Sequence, residues 1–268
     1  MERKESLLFY MEMYMRYKIT IEYDGTNLLG WQWQPDGNSV QGFLELALRN
    51  AFGRFVAEGV EDGALIWGAG RTDAGVHALA QVAHFDLNLD IEDWKMREAL
   101  NAHLRNLEAP VSVLCVEKVN DDFHARFSAK GRGYIYRILN RRAPSVLLQN
   151  RVWWIPVPLD VEKMRLASKC LLGKHDFTSF RAAACQAKSP IKTLDKLDII
   201  ENGEEIRFEV EARSFLHHQV RNFVGTLKMV GDEQLAVDDV QKILEAKDRK
   251  QAGVTAPAWG LYLSQVWY

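Results

Sequence analysis

The sequence predicts an α+β fold built from two similar α/β halves that meet near residue 120. Three observations carry this. Strand-like and helix-like stretches alternate along the chain. Neighbouring strand-like stretches are joined as hairpins, which favours mainly antiparallel sheets flanked by helices over an all-parallel sheet. A β-α-β-β-α-β series ends near residue 119, and a second series of similar rhythm follows it.

Residues 16–23 (RYKITIEY) alternate large and polar side chains and stop at Asp24-Gly25, the pattern of a half-buried strand. Ser39 is placed to cap a helix to Phe52, with Val40, Phe43, Leu44, Ala47 and Leu48 on one face. Residues 64–67 read as a buried strand and 81–87 as another, with a glycine-rich loop, 68–75, between them. Asp90 is expected to cap a helix to residue 104; Pro110 limits its extension, and a strand follows over 111–119. In the second half, strands are expected over 133–140 and 152–157, and a helix over 160–172. A hairpin of 193–200 and 205–213 is split by Asn202-Gly203. A helix over 217–230 turns Val220, Phe223, Val224, Leu227 and Val230 inward; a short helix over 237–246 and a strand over 261–267 complete the series. The expected division is an N-terminal extension (1–14), an N-terminal domain (15–120) and a C-terminal domain (121–268).

With 268 residues, 47% hydrophobic and 26% charged, the chain has the composition of a globular protein and enough length for a large core. No apolar run approaches the ~20 residues of a membrane-spanning helix. The apolar patch over 7–10 is too short for a secretory signal, and Glu2, Glu5 and Glu12 argue against a basic targeting peptide. Cys115, Cys170 and Cys185 are odd in number and widely spaced, so reduced thiols in the cytoplasm are expected. His217 and His218 are adjacent; on a helix they would point about 100° apart, a poor metal site, and no metal is expected.

The net charge is 34 minus 36, or −2, but its distribution is uneven. Residues 123–159 carry no acid and seven bases: Arg126, Lys130, Arg132, Arg137, Arg141, Arg142 and Arg151. Residues 163–193 add seven more against Asp176 alone. Tyr134, Tyr136, Trp153, Trp154, Phe177 and Phe180 lie among them. Local positive charge interleaved with aromatics points toward RNA.

The densest motif is Gly68-Ala69-Gly70-Arg71-Thr72-Asp73-Ala74-Gly75-Val76-His77-Ala78. It is not a dinucleotide fingerprint: Asp73 stands where the third glycine belongs, a strand follows in place of a helix, and a carboxylate would repel a pyrophosphate. Two readings remain from the residues themselves. One is an arginine–aspartate clamp on a glycine turn. The other is a carboxylate held on a rigid loop as nucleophile or base, kept ionised by a nearby cation.

The run GRTDAGVHA (70–78) resembles the signature of the TruA family of tRNA pseudouridine synthases. The resemblance extends over almost the whole chain from Tyr17: IEYDGTNLLGWQWQ (21–34), Ser39-Val40-Gln41-Gly42, FHARFSAKGRGYIYRILN (123–140), FRAAACQAKSP (180–190), SFLHHQVRNFVG (214–225) and TAPAWGLYL (255–263). It implies two pseudo-symmetric subdomains with a catalytic cleft between them, and isomerisation of uridine to pseudouridine at positions 38–40 of the tRNA anticodon stem-loop. It implies Asp73 as nucleophile, Arg221 as its partner, Tyr134 packed on the target uracil and Arg71 assisting base flipping. It also implies a homodimer that needs no cofactor, since no electrons or external groups are transferred.

Overall fold

The computed structural model describes residues 14–35, 38–56, 65–183 and 185–268. Residues 1–13 of the expected extension, and Ala64 of the strand expected over 64–67, lie outside the described residues. The elements in order are β1 (Met15–Tyr23), α1 (Val40–Phe52), β2 (Trp67–Gly68), β3 (His77–Leu87), α2 (Asp93–Asn106), β4 (Val111–Val119), β5 (Gly131–Asn140), β6 (Trp153–Ile155), α3 (Val161–Ser168), β7 (Gly173–Asp176), β8 (Ile191–Asn202), β9 (Glu205–Ala212), α4 (Gln219–Gly231), α5 (Asp239–Ala246) and β10 (Leu261–Trp267).

The strands form one sheet in the order β4-β1-β3-β10-β5-β9-β8-β7, with β2 on β3 and β6 on β5. Its pairings are antiparallel except β3–β10 and β5–β6. The fold is therefore α+β with a large, mostly antiparallel sheet. β10 is the joint between the halves: Leu263 lies opposite Ala78 of β3 on one side and opposite Tyr134 of β5 on the other.

That register puts two cores on the same sheet face. Alternation in β1 buries Tyr17, Ile19, Ile21 and Tyr23 against Leu44 and Leu48 of α1 and Met96, Leu100 and Leu104 of α2. Tyr136 and Ile138 of β5, with Phe208 and Val210 of β9, meet Met164 of α3, Phe223, Val224 and Leu227 of α4, and Leu244 of α5. Each of the buried Ile, Leu, Val, Phe and Met side chains contributes roughly 1.5–3 kcal/mol through burial. The other sheet face carries paired charges, among them Arg16–Asp86, Lys18–Glu117, Arg137–Glu205 and Lys196–Glu209.

Local chemistry explains where elements begin and end. The Ser39 hydroxyl accepts from the Gly42 N–H (3.2 Å) and starts α1 as expected. Asp160 does the same for α3 through the Lys163 N–H (2.9 Å). α2 departs from expectation: Asp90 pairs with Lys118, and the helix begins at Asp93 after Glu92. The strand expected over 64–67 shortens to Trp67–Gly68 among the described residues. α3 stops at Ser168 and tightens into a 3-10 turn, Lys169–Leu171. In the hairpin, β8 runs through Asn202 and the turn falls on Gly203 (φ +60°) and Glu204. No helix among the described residues is long and apolar enough to cross a membrane.

Candidate active site

Asp73 sits on the loop between β2 and β3, and a second loop, 24–31, holds it there. The Trp31 N–H donates to Thr72 O (3.0 Å), the Gly75 N–H to Leu28 O (3.3 Å), and the Val76 N–H to Asp73 O (3.1 Å). The loops touch too closely for side chains: a Cβ on Gly25 would lie 2.2 Å from Val76 O, and one on Gly30 (φ +94°) 2.5 Å from Thr72 O. Thr72 itself is fixed by a buried hydroxyl contact with Tyr23 (2.8 Å).

His77 supports the loop from below. Its Nδ1 accepts from the Gly25 N–H (3.0 Å), so Nε2 carries the proton that reaches Asn150 O (2.9 Å) and Trp259 O (3.1 Å). Burial lowers its pKa, so the ring is neutral. The 3.2 Å approach of Asp24 to Nδ1 is therefore not an ion pair; Asp24 is paired with Arg151 (2.5 Å).

The start of α4 supplies the opposite wall. Arg221 Nη1 donates to Asp73 Oδ2 (2.9 Å) while its Nε donates to Ala256 O (2.7 Å), which fixes the guanidinium at two points. His217 Nε2 lies 3.2 Å from Asp73 Oδ1 and His218 Nε2 3.1 Å from Oδ2. Burial alone would push the Asp73 carboxyl up; His218, then His217 and Arg221, outweigh it and hold it down at about 2. Imidazole carries charge only when protonated, so Arg221 is the constant partner.

The histidine pair is not laid out as the sequence suggests. His218 adopts a left-handed conformation (φ 63°) ahead of the helix, and the two rings lie 3.9 Å apart and converge on one carboxylate. Asp73, His217 and His218 could together offer a metal three ligand atoms within 4.8 Å of one another. The Arg221 charge on the same carboxylate opposes a cation there.

Tyr134, on β5, packs against both cores and meets Phe215 edge-to-face (5.1 Å). Burial pushes its hydroxyl up to about 12, so it presents an uncharged ring. Asp73, Arg71, Tyr134 and Arg221 line one cleft of about 1650 Å³. Arg71 is exposed and bonded to none of the described residues. A second hollow of about 620 Å³ lies on the opposite sheet face, where Arg137 and Glu205 are spent on each other.

Much of the basic sequence is spent on structure. Arg137, Arg141 and Arg151 pair with Glu205, Glu204 and Asp24. Arg132 caps three carbonyls, Ala69 (2.6 Å), Arg213 (2.7 Å) and Arg126 (2.9 Å), tying the Asp73 loop to the second half. Phe177, Phe180 and Tyr136 are fully buried and offer no stacking surface. The positive charge at the cleft comes from both halves: Arg49, Arg71, Arg126, Arg132, Arg213 and Arg221, against Glu45 and Asp73.

A family profile described as tRNA pseudouridine synthase matches residues 19–128 and 167–268. The chain belongs to the tRNA pseudouridine synthase family. Membership makes it an isomerase acting on uridine in tRNA. The synthase is 55% identical over 253 residues to the tRNA pseudouridine synthase A of Paramagnetospirillum magneticum, covering 94% of this chain and 95% of that protein. It is 54% identical to the protein of the same name in Brucella anthropi, and 53% to that in Brucella ovis, covering 94% of this chain and 98% of each. Arg71, Asp73 and Arg221 of the synthase fall within the matched segments, and Tyr134 falls between them.

Proposed function

We propose that this synthase converts uridine to pseudouridine at positions 38, 39 and 40 of the tRNA anticodon stem-loop, with Asp73 as nucleophile on a base flipped out of the stack. The observation that carries this reading is the ionised Asp73 carboxylate, bonded at 2.9 Å to Arg221 inside an arginine-lined cleft. The N1–C1′ bond breaks, the uracil turns while held, and C5 bonds to C1′. C5 loses a proton and N1 gains one, so nothing is transferred on balance and no cofactor is required. Attack at C1′, glycal formation and addition at C6 all need an ionised carboxylate beside the nucleoside.

In this reading Tyr134 packs its uncharged ring on the turning uracil, and Arg71, bonded to none of the described residues, assists the flipping and contacts the RNA backbone. Three successive targets are read by shape and phosphate contacts more than by base identity. The cleft divides the domains at 15–120 and 121–268. The protein works in the cytoplasm as a homodimer, which a solution mass of one chain would refute.

The test uses tRNA transcribed with uridine tritiated at C5. Release is expected when uridine occupies positions 38–40 and not when all three are cytidine. Equal release from both transcripts would sink the site assignment, and none from either would favour an RNA-binding protein without catalysis. In the same assay Arg71→Ala is expected to cut release from paired positions 39 and 40 more than from loop position 38. Tyr134→Ala should cut all three alike; the reverse pattern would exchange or remove these roles.

A further inference from the structure

A column of four rings runs from the sheet to the rim of the cleft. Trp67 stacks on His84 (5.3 Å between centroids), His84 packs on His124 (4.7 Å), and His124 packs on Phe127 (4.4 Å). Burial, then the neighbouring His124, lowers the His84 pKa to about 4, so this ring of the column is uncharged at neutral pH. The outer end, Phe127, is 74% exposed and lines the same cleft as Asp73.

The backbone that carries the ring is braced. The Ser128 N–H donates to His124 O (2.9 Å), and the His124 N–H donates to Ser128 Oγ (2.9 Å), closing the turn over 124–128. His124 Nδ1 accepts from the Arg126 and Phe127 N–H groups (3.1 and 3.4 Å). The Arg126 carbonyl accepts from Arg132, the guanidinium that also grips Ala69 O beside the Asp73 loop. One side chain thus braces both the turn and that loop. The Arg126 guanidinium lies 5.7 Å from the Phe127 ring.

A lone exposed phenylalanine needs no explanation. One carried on a braced turn, packed on His124 and with a cation beside it on an arginine-lined wall, has the chemistry that stacks a nucleobase. We propose that Phe127 is a stacking platform for a nucleobase of the tRNA neighbouring the target, with Arg126 on the adjoining phosphate. The proposal rests on the tRNA reading above. Extrusion of a target exposes the faces of its neighbours, and a flat apolar ring at the rim covers one of them. Because the platform is braced to the Asp73 loop, the base it receives sets how far the RNA enters the cleft. The six arginines and two acids of the lining favour RNA over an apolar protein segment.

The test compares wild type, Phe127→Ala, Phe127→Leu and Phe127→Trp in tritium release from intact tRNA, in filter binding of the same tRNA and in solution mass. Phe127→Ala is expected to raise KM and Kd about tenfold, the size of one lost stack, with a smaller fall in kcat. Phe127→Trp should restore both constants, and Phe127→Leu should remain with Ala because bulk without a π-face does not stack. An active wild type whose KM and Kd are indifferent to Phe127→Ala, or equal values for Leu and Trp, overturns the platform. A changed solution mass with KM intact assigns Phe127 to a protein contact and also overturns it. A wild type that releases no tritium yet keeps the aromatic preference in Kd refutes the catalytic reading and leaves the platform standing.

Discussion

Asp73→Asn is expected to give a folded protein whose tritium release from C5-labelled tRNA falls by at least about 10⁴-fold. The amide keeps the shape of the carboxylate and loses its charge, its nucleophilicity and its capacity to take a proton. Residual release above about one part in a hundred of wild type would remove Asp73 from the chemistry. The same variant tests the electrostatics. The folded-state pKa, about 2, lies below the ordinary value of 3.8, so ionised Asp73 stabilises the fold above that value and the contribution is lost as pH falls through about 2. Asparagine makes no such contribution and leaves Arg221, His217 and His218 without their counter-charge. The gap in melting temperature between wild type and variant should therefore close between pH 4 and pH 2. A gap constant over that range would contradict the depressed pKa.

Arg221→Ala is expected to lower turnover about 10²- to 10³-fold, in the range of losing one desolvated, charge-assisted bond at a reacting group. Lysine should recover little of it. It keeps the charge but cannot bond Asp73 and Ala256 O together, and that double anchor is what fixes the guanidinium. Losing the constant cation also moves the Asp73 pKa upward, because burial then opposes ionisation with only the histidines to resist it. The acid limb of the variant's pH–rate profile should shift toward neutrality. Near-normal turnover in Arg221→Ala would remove the pairing from catalysis.

Much of this architecture is legible in the chain, and the exceptions have physical causes. β4 and β10 fall on their expected residues, and Ser39 and Asp160 cap the helices they precede. Asp90 has the same chemistry but is drawn off to Lys118, a partner a linear reading cannot see. β7 has four residues, Gly173–Asp176, too few to show alternation. Phe177 and Phe180 lie among bases in the sequence, but the tertiary fold turns them into the core. The adjacent histidines converge where helical spacing would splay them, because His218 is left-handed and precedes the helix. Asp73 and Arg221 meet across 148 residues of chain, so no local pattern pairs them, and only the family resemblance did.

The place of β10 has a consequence for how the chain assembles. It follows every other strand in sequence, yet it lies between β3 and β5 in the sheet. During synthesis the strands β4-β1-β3 can pair as soon as residue 119 has emerged, and β5-β9-β8-β7 somewhat later. Until residues 261–267 arrive, His77–Ala78 of β3 and Gly131–Tyr136 of β5 lack their β10 partners, and exposed strand edges of this kind are templates on which a nascent chain aggregates. β10 covers the His77–Ala78 stretch of β3 and the Gly131–Tyr136 stretch of β5 together, and so joins the block that carries the Asp73 loop to the block on which α4 and Arg221 pack. A chain that lacks residues 261–267 therefore lacks the strand that joins the two blocks, and the sheet that carries the wall of the cleft on both sides stays in two pieces.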